Sequence, residues 1–292
     1  MSNTYDNQYL NLVKEILDEG IKAPCRTGNN VLVRLNKSLT VDLDEGFPIL
    51  TFRQIPFKGV KGEISCFLEG ITDKRIYNER SCKYWNDWCN PKKVPYSDKE
   101  GMKAENDLGN IYGFNWIHFN AEYDNYDTDY TGKGINQVKQ VVETLKKNPY
   151  DRRMIITAWD PAHLDTMGLP PCLHTWQFNY LGDRLHLTGL QRSADTILGV
   201  PADMVQASLL LHLMAQTVGM KPGTVTLEFC NCHIYDNHIE TVKENLSRWY
   251  KEQYDLPKLI LDPNATVFNF MPEMASLDNY RHGPKLTFPI AV

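Results

Sequence analysis

Apolar residues in YLNLVKEILDEG recur at helical spacing, and the run closes on Gly20, which suits a C-cap. After the turn-forming RTGNN, the segment VLVRLNKSLTVDL alternates apolar and polar positions and predicts a strand. EGFPILTFR leads toward a second strand, and VKGEISCFLEG predicts a buried helix. GINQVKQVVETLKKNP predicts an amphipathic helix whose last turn carries lysines, as the helix dipole favours. RRMIITAW reads as a strand, and WQFNYLGDRLHLTGLQRS as two strands around a Gly-Asp turn. PADMVQASLLLHLMAQTVG is apolar over about five turns, which predicts a helix at the centre of the core. TVTLEFCNCHIY predicts a strand and HIETVKENLSRWYKE a closing surface helix. Residues 90–110 and 120–134 are rich in turn formers and predict surface loops. No repeat, low-complexity tract or linker divides the chain. The expected architecture is one α+β domain over residues 1–292, a mixed sheet packed with helices.

Composition fits that expectation. The chain has 292 residues, 42% hydrophobic and 23% charged, enough for a sizeable core. A formal net charge of −5 argues against a surface that is basic overall. No nucleic-acid partner is expected, and any anion must be held by a local group of arginines. The start, MSNTYDNQYL, lacks the basic and apolar segments of a signal peptide. No apolar run reaches the roughly 18 residues a membrane span needs. A cytoplasmic location is expected. The seven cysteines are scattered without framework spacing, so reduced thiols are expected.

Candidate chemistry begins at LPPCLHTWQF. Two prolines, each with fixed φ and no N–H, place Cys172 at a stiff strand entrance. That mount suits a nucleophile, although a lone cysteine is more often a small buried hydrophobe. Arg192, in QRSAD, falls on a neighbouring predicted strand, and a guanidinium beside a thiol favours the thiolate. Glu63 sits among Ile64, Cys66, Phe67 and Leu68, and a buried carboxylate needs partners or a task. His233 and Tyr235 alternate on a strand, so they share a face. Cys230, Cys232 and His233 lie too close together for a zinc set and no second pair follows, so no metal is expected. The doublet Arg152–Arg153 reads by itself as a solvated pair.

LPPC, QRSADTILGVPAD and HIYDNHIE, in that order, resemble the thymidylate synthase family. RTG at Arg26, GEISCFLEG at Glu63, YWNDW at Trp85, DLGNIYG at Tyr112, DRR at Arg152 and the terminal PIAV extend the resemblance over nearly the whole chain. It implies a thymidylate synthase-like fold and a homodimer formed through the sheet. It also implies one-carbon chemistry with 5,10-methylenetetrahydrofolate as co-substrate. Cys172 would add to C6 of a pyrimidine nucleoside monophosphate, whose C5 then takes the folate's carbon. Glu63, with water, would move protons to and from the base, its pKa raised by desolvation. Arg26, Arg192 and the Ser193 hydroxyl would hold the phosphate, with Arg152 and Arg153 reaching the phosphate site of the partner subunit. Gln191, Asp195 and Asp203 join the nucleotide set, and His233 and Tyr235 would bond the ribose 3′-hydroxyl. Tyr112 is implied among the catalytic residues and beside the folate. Trp85, Leu169, Asp195, Gly199 and Val292 would complete the folate surface, where aromatic faces stack on flat rings. Trp88 reads as core packing.

The departures from the family are informative. Thymidylate synthases carry V-P-F-N where this chain has Val200, Pro201, Ala202 and Asp203, and the family's asparagine grips the uracil edge. An amide both donates, to O4, and accepts, from N3. An ionised Asp203 only accepts; it clashes with O4 and suits the amino group of cytosine. Asp203 also falls in the first turn of a helix, where the dipole favours an acid, and the two roles are compatible. Phage deoxycytidylate hydroxymethylases resemble this pattern. Leu173 where synthases have histidine, Ala202 for phenylalanine and Asn231 for aspartate reshape the pocket. The expected reaction gives 5-hydroxymethyl-dCMP and tetrahydrofolate, by water addition at the attached carbon. Hydride transfer from the folate, giving a methyl group on dCMP or dTMP from dUMP, is the alternative, as is hydroxymethylation of CMP. Retained Trp85 and the PIAV tail favour hydride transfer; Leu173 and Ala202 favour a wetter pocket. A non-catalytic nucleotide- or RNA-binding relative is a further reading, opposed by the retained Cys172, Glu63 and arginines.

Overall fold

The alternating segments pair into one seven-stranded sheet in the computed structural model, which describes residues 3–26, 28–88 and 105–290. Most of the expected 90–110 loop, and Val292, lie outside the described residues. The strand order is β1 (Ile21–Pro24), β2 (Asn30–Asp42), β7 (Lys221–Tyr235), β5 (Arg184–Gln191), β4 (Leu173–Leu181) and β3 (Ile155–Thr157). The short β6 (Ala194–Asp195) adds to β7 beyond the end of β5. β7 is parallel to β5 and β6, and the remaining neighbours are antiparallel, so the sheet is mixed. β4 and β5 turn through Gly182 and Asp183, with φ of 58° and 63°, the pair of positive values that a tight, right-twisting hairpin needs.

Helices cover the sheet as the apolar pattern predicts. α6 (Gly199–Val218) packs on β5 and β7 and buries Met204, Val205, Leu209, Leu210 and Leu213 completely. α1 (Thr4–Glu19) packs on β2 through an apolar stripe that includes Tyr9, Val13 and Ile16. α2 (Phe57–Glu69) packs against α4 (Tyr112–His118) and α6. α3 (Lys74–Glu79), α5 (Gln137–Lys147) and α7 (Asp236–Lys251) complete the helices among the described residues. This is the expected α+β architecture. Thr40, Leu190, Glu228 and Cys230 on the central strands remain exposed.

Gly20 caps α1 as expected, in an extended conformation, φ −65° and ψ 136°. A Cβ there would meet the Ile16 carbonyl oxygen at 2.3 Å, so steric room explains the glycine. EGFPILTFR is buried but forms no strand. Its backbone bonds outside any sheet: Phe47 N–H donates to Pro257 O at 2.8 Å, and Thr51 N–H to the Asp6 side chain on α1, Oδ1 at 3.2 Å. The pieces β1, α3, α4 and the hairpin of β8 (Lys258–Leu261) and β9 (Ala275–Asp278) are too short for their periods to show in the sequence.

Two glycines of DLGNIYG set Tyr112 in place. Gly109 has φ 74° and lies against the Thr166 carbonyl. A Cβ on Gly113 would fall 2.4 Å from Phe67 Cα. That close approach of α4 to α2 lets the Tyr112 ring stack on Phe67, centroids 5.0 Å apart and planes within 3°. Gly113→Ala is therefore expected to lower stability by about 1–3 kcal/mol, the cost of an overpacked core. Urea unfolding monitored by circular dichroism checks this.

Candidate active site

Cys172 stands in the bend that opens β4. The prolines before it act through their carbonyls as well as their stiffness. Arg192 Nε donates to Pro171 O at 2.8 Å and Nη2 to Pro170 O at 2.9 Å. The Arg192 N–H donates to Cys172 O at 2.9 Å, and Nη2 lies 3.8 Å from Cys172 Sγ. The Cys172 N–H in turn donates to the Tyr112 hydroxyl at 2.7 Å. Thiol and guanidinium are thus locked to each other through backbone. The expectation of a ready thiolate is corrected by burial, which raises the Cys172 pKa above the usual thiol value. Arg192 and Arg26 pull it down, but by less than desolvation lifts it.

Beside this corner lies a cavity of about 140 Å³, walled by Phe67, Tyr84, Trp85, Trp88, Tyr112, Leu169 and Leu173, with Glu63, Asp203 and Gln206 as its polar members. Trp88, expected as core, lines it, and so does Leu173, which makes that wall apolar. Ala202 packs against the hydrophobic core instead. Glu63 projects from α2. Its Oε1 accepts from Trp85 Nε1 at 2.8 Å and its Oε2 from Gln206 Nε2 at 2.9 Å. Burial raises its pKa to about 8, and the charge of Asp203 adds to the rise. Asp203 lies past the first turn of α6, not within it as expected, because the helix already begins at Gly199, and its Oδ2 accepts from Gln191 Nε2 at 2.8 Å. Burial raises its pKa to about 7, with Asp195 adding. Among the described residues no cation opposes either shift. Both acids can therefore exchange protons near neutral pH.

The pairing of β6 with β7 sets Asp195 opposite His233. His233 and Tyr235 share a face, as their alternation predicts, with rings perpendicular at 5.2 Å. His233 Nδ1 donates to Asn231 Oδ1 at 2.9 Å, and this leaves Nε2 to accept from a ligand hydroxyl. Burial lowers its pKa and keeps the ring neutral. Asp195 Oδ1 accepts from the N–H groups of Ile197 at 3.0 Å and Leu198 at 3.1 Å, so one carboxylate oxygen holds the turn leading to Gly199 and α6. Gln191 Nε2 also donates to the carbonyl of Ser193, at 3.2 Å, while its buried Oε1 has no partner. Arg26 is exposed just past β1, near enough to act on the thiol electrostatically. Arg152 and Arg153 lie exposed before β3, where Arg153 pairs with Asp151 at 2.6 Å. The Arg152 carbonyl accepts from Gln177 Nε2 of β4 at 3.5 Å.

Sequence reasoning missed Gln206 and Tyr84. A glutamine within an otherwise apolar helix, one turn after Asp203, was the available signal for Gln206. Tyr84 carries none beyond its place in the aromatic run before Trp85. Among the described residues no group of His, Cys, Asp or Glu could hold a metal, and no helix is long and apolar enough to cross a membrane.

The thymidylate synthase family model matches residues 7–292. Thymidylate synthase of Listeria monocytogenes serotype 4a is 35% identical over 323 aligned positions, covering 98% of this chain and 99% of the relative. That of Saccharomyces cerevisiae is 37% identical over 308, covering 99% and 98%. The bifunctional dihydrofolate reductase-thymidylate synthase of Paramecium tetraurelia is 34% identical, covering 98% of this chain and 61% of the relative.

Arg192 lowers the thiol pKa, so its loss should raise it further. Arg192→Gln is expected to move the midpoint of iodoacetamide alkylation of Cys172 about one pH unit upward. Arg192→Lys, which keeps the charge, should move it less.

Proposed function

The chain belongs to the thymidylate synthase family, and we propose that the nucleotide whose C5 it alkylates is a cytidine nucleotide, dCMP, chosen by Asp203. The family's reaction joins the one-carbon unit of 5,10-methylenetetrahydrofolate to a pyrimidine nucleotide. The stacked wall of Phe67, Tyr112, Trp85 and Leu169 beside the acids fits a flat heterocycle of that kind. Cys172 adds to C6 and the ring is held against Asp203. Glu63 lies across the same cavity, where it takes the C5 proton through water.

The observation that carries the choice of base is the half-buried Asp203 carboxylate, with one amide donor and, among the described residues, no cation beside it. An oxygen of this group accepts from the cytosine amino group, and a proton shared between Asp203 and N3 makes a second bond. The product favoured by a cavity with three polar side chains is 5-hydroxymethyl-dCMP, formed when water adds at the exocyclic carbon and tetrahydrofolate leaves. Ribose in place of deoxyribose, as in CMP, meets the same base-reading group.

Thymidylate synthesis from dUMP is the second reading, and the full-length relatives, all named thymidylate synthases or their bifunctional form, support it more directly. A specific observation also favours it. With a pKa raised to about 7, Asp203 can keep its proton at neutral pH. It then presents one O–H and one carbonyl oxygen, which match O4 and N3–H of uracil. Retained Trp85 at the cavity wall suits hydride transfer.

We further infer a homodimer through the sheet, with Arg152 and Arg153 completing the partner's phosphate site. The exposed strand residues Leu190 and Cys230 and the exposed arginine doublet support this. Mixing a Cys172→Ala chain with an Arg152→Ala chain should then restore activity that neither has alone.

Incubation with dCMP, dUMP and CMP plus the folate, followed by product mass analysis, separates the readings. The first expects 5-hydroxymethyl-dCMP with no rise in dihydrofolate absorbance; dTMP with that rise establishes the second. Asp203→Asn is expected to shift relative kcat/KM from dCMP toward dUMP by about ten- to a hundredfold. An unchanged ratio removes Asp203 from base selection.

A further inference from the structure

We propose that Gln206 is a positioning residue for proton transfer by Glu63. Its side-chain amide fixes the second carboxylate oxygen and so aims the remaining lone pairs at the reacting ring. The geometry is specific. Gln206 is only 4% exposed, lines the cavity, and stands one helical turn beyond Asp203 on the same face of α6. Its amide nitrogen meets Glu63 Oε2 at 2.9 Å while the Trp85 indole meets Oε1 at 2.8 Å. A carboxylate tethered at both oxygens cannot rotate without breaking one of these bonds. One tether comes from the aromatic wall, the other from the helix that carries Asp203. The group that moves protons and the group that meets the base edge are thereby held in fixed relation.

Electrostatics gives the same amide a second effect. The titratable groups that act on or feel Glu63 are Cys66 on α2, Tyr77 on α3, Cys82 and Tyr84 after it, Tyr112 on α4 and Asp203 on α6. None of these is a cation. The ionised, proton-accepting form of Glu63 is therefore favoured by the two neutral donors, Trp85 and Gln206. In the step served, the C5–H bond breaks and the proton passes through water to the Glu63 carboxylate. The C5–H electron pair becomes the double bond to the exocyclic carbon, as the bond from that carbon to the folate nitrogen breaks and its pair leaves on the departing amine.

The inference rests on the reading of Glu63 as the proton acceptor, and the test separates the two. Full-length protein is incubated with the folate and a nucleotide tritiated at C5, and tritium release is followed against pH. Glu63→Gln is expected to abolish release. Gln206→Met, which keeps the length and loses the donor, is expected to lower release at neutral pH about tenfold and to move the acid limb about one unit upward. Nucleotide affinity should stay within about twofold. Gln206→Glu, which sets a third acid in the cavity, should move the limb further, and it serves if the methionine variant does not fold. A limb unmoved in both variants while Glu63→Gln is dead overturns the inference and leaves Glu63 in its role. Slower release with weakened nucleotide binding and no movement of the limb marks a merely structural glutamine, and also overturns it. Undiminished release by Glu63→Gln overturns the reading of Glu63 and the inference together.

Discussion

Two acids share one small cavity with no cation beside them among the described residues, and the rest of the site is arranged around that fact. Glu63 and Asp203 rest on an indole N–H and two glutamine amides. Neutral donors soften the desolvation penalty without cancelling it, which is why both groups hold protons to about pH 8 and about pH 7. A carboxyl with a raised folded pKa binds more protons folded than unfolded. Its effect on stability is absent below the unfolded pKa and becomes increasingly unfavourable as pH rises toward the folded value. The cavity is thus a destabilising element in mildly alkaline solution. The fully buried face of α6 and the long β2–β7 ladder must offset it.

The aromatic wall links parts that would otherwise be separate. Tyr112 stacks on Phe67 and takes the backbone N–H of Cys172 on its hydroxyl. Trp85 packs edge-on against Tyr112 and donates to Glu63. A flat ring settling against this wall would touch the two side chains that hold the thiol corner and Glu63, the acid proposed to move protons. Ligand seating and catalytic alignment therefore involve the same contacts.

Much of this was legible in the chain. Long elements with strong periods, α1, α5, α6, β2 and β7, followed their patterns, and the hairpin of β4 and β5 followed its Gly-Asp turn. Glu63 of α2, Tyr112 of α4, Asp203 of α6 and the loop residues Trp85 and Leu169 line one cavity. What the chain hid were balances and backbone partners. The sign of the Cys172 shift depends on how much burial outweighs Arg192, which no spacing reveals. The buried EGFPILTFR segment resembled a strand because apolar runs do not tell whose carbonyls its N–H groups meet. Gln206 gave only the signal of being polar where its helix is not.

The grip of Arg192 on the two proline carbonyls has a geometric corollary for an anionic ligand. A guanidinium offers five hydrogens, and here the Nε–Nη2 edge, the one best shaped for a two-pronged bond to an oxyanion, is already spent on backbone. With that edge taken, a phosphate oxygen has to approach the guanidinium from another side. A doubly charged group then needs further cations from beyond this corner, and a chain whose other candidates sit on exposed turns must gather them from a distance.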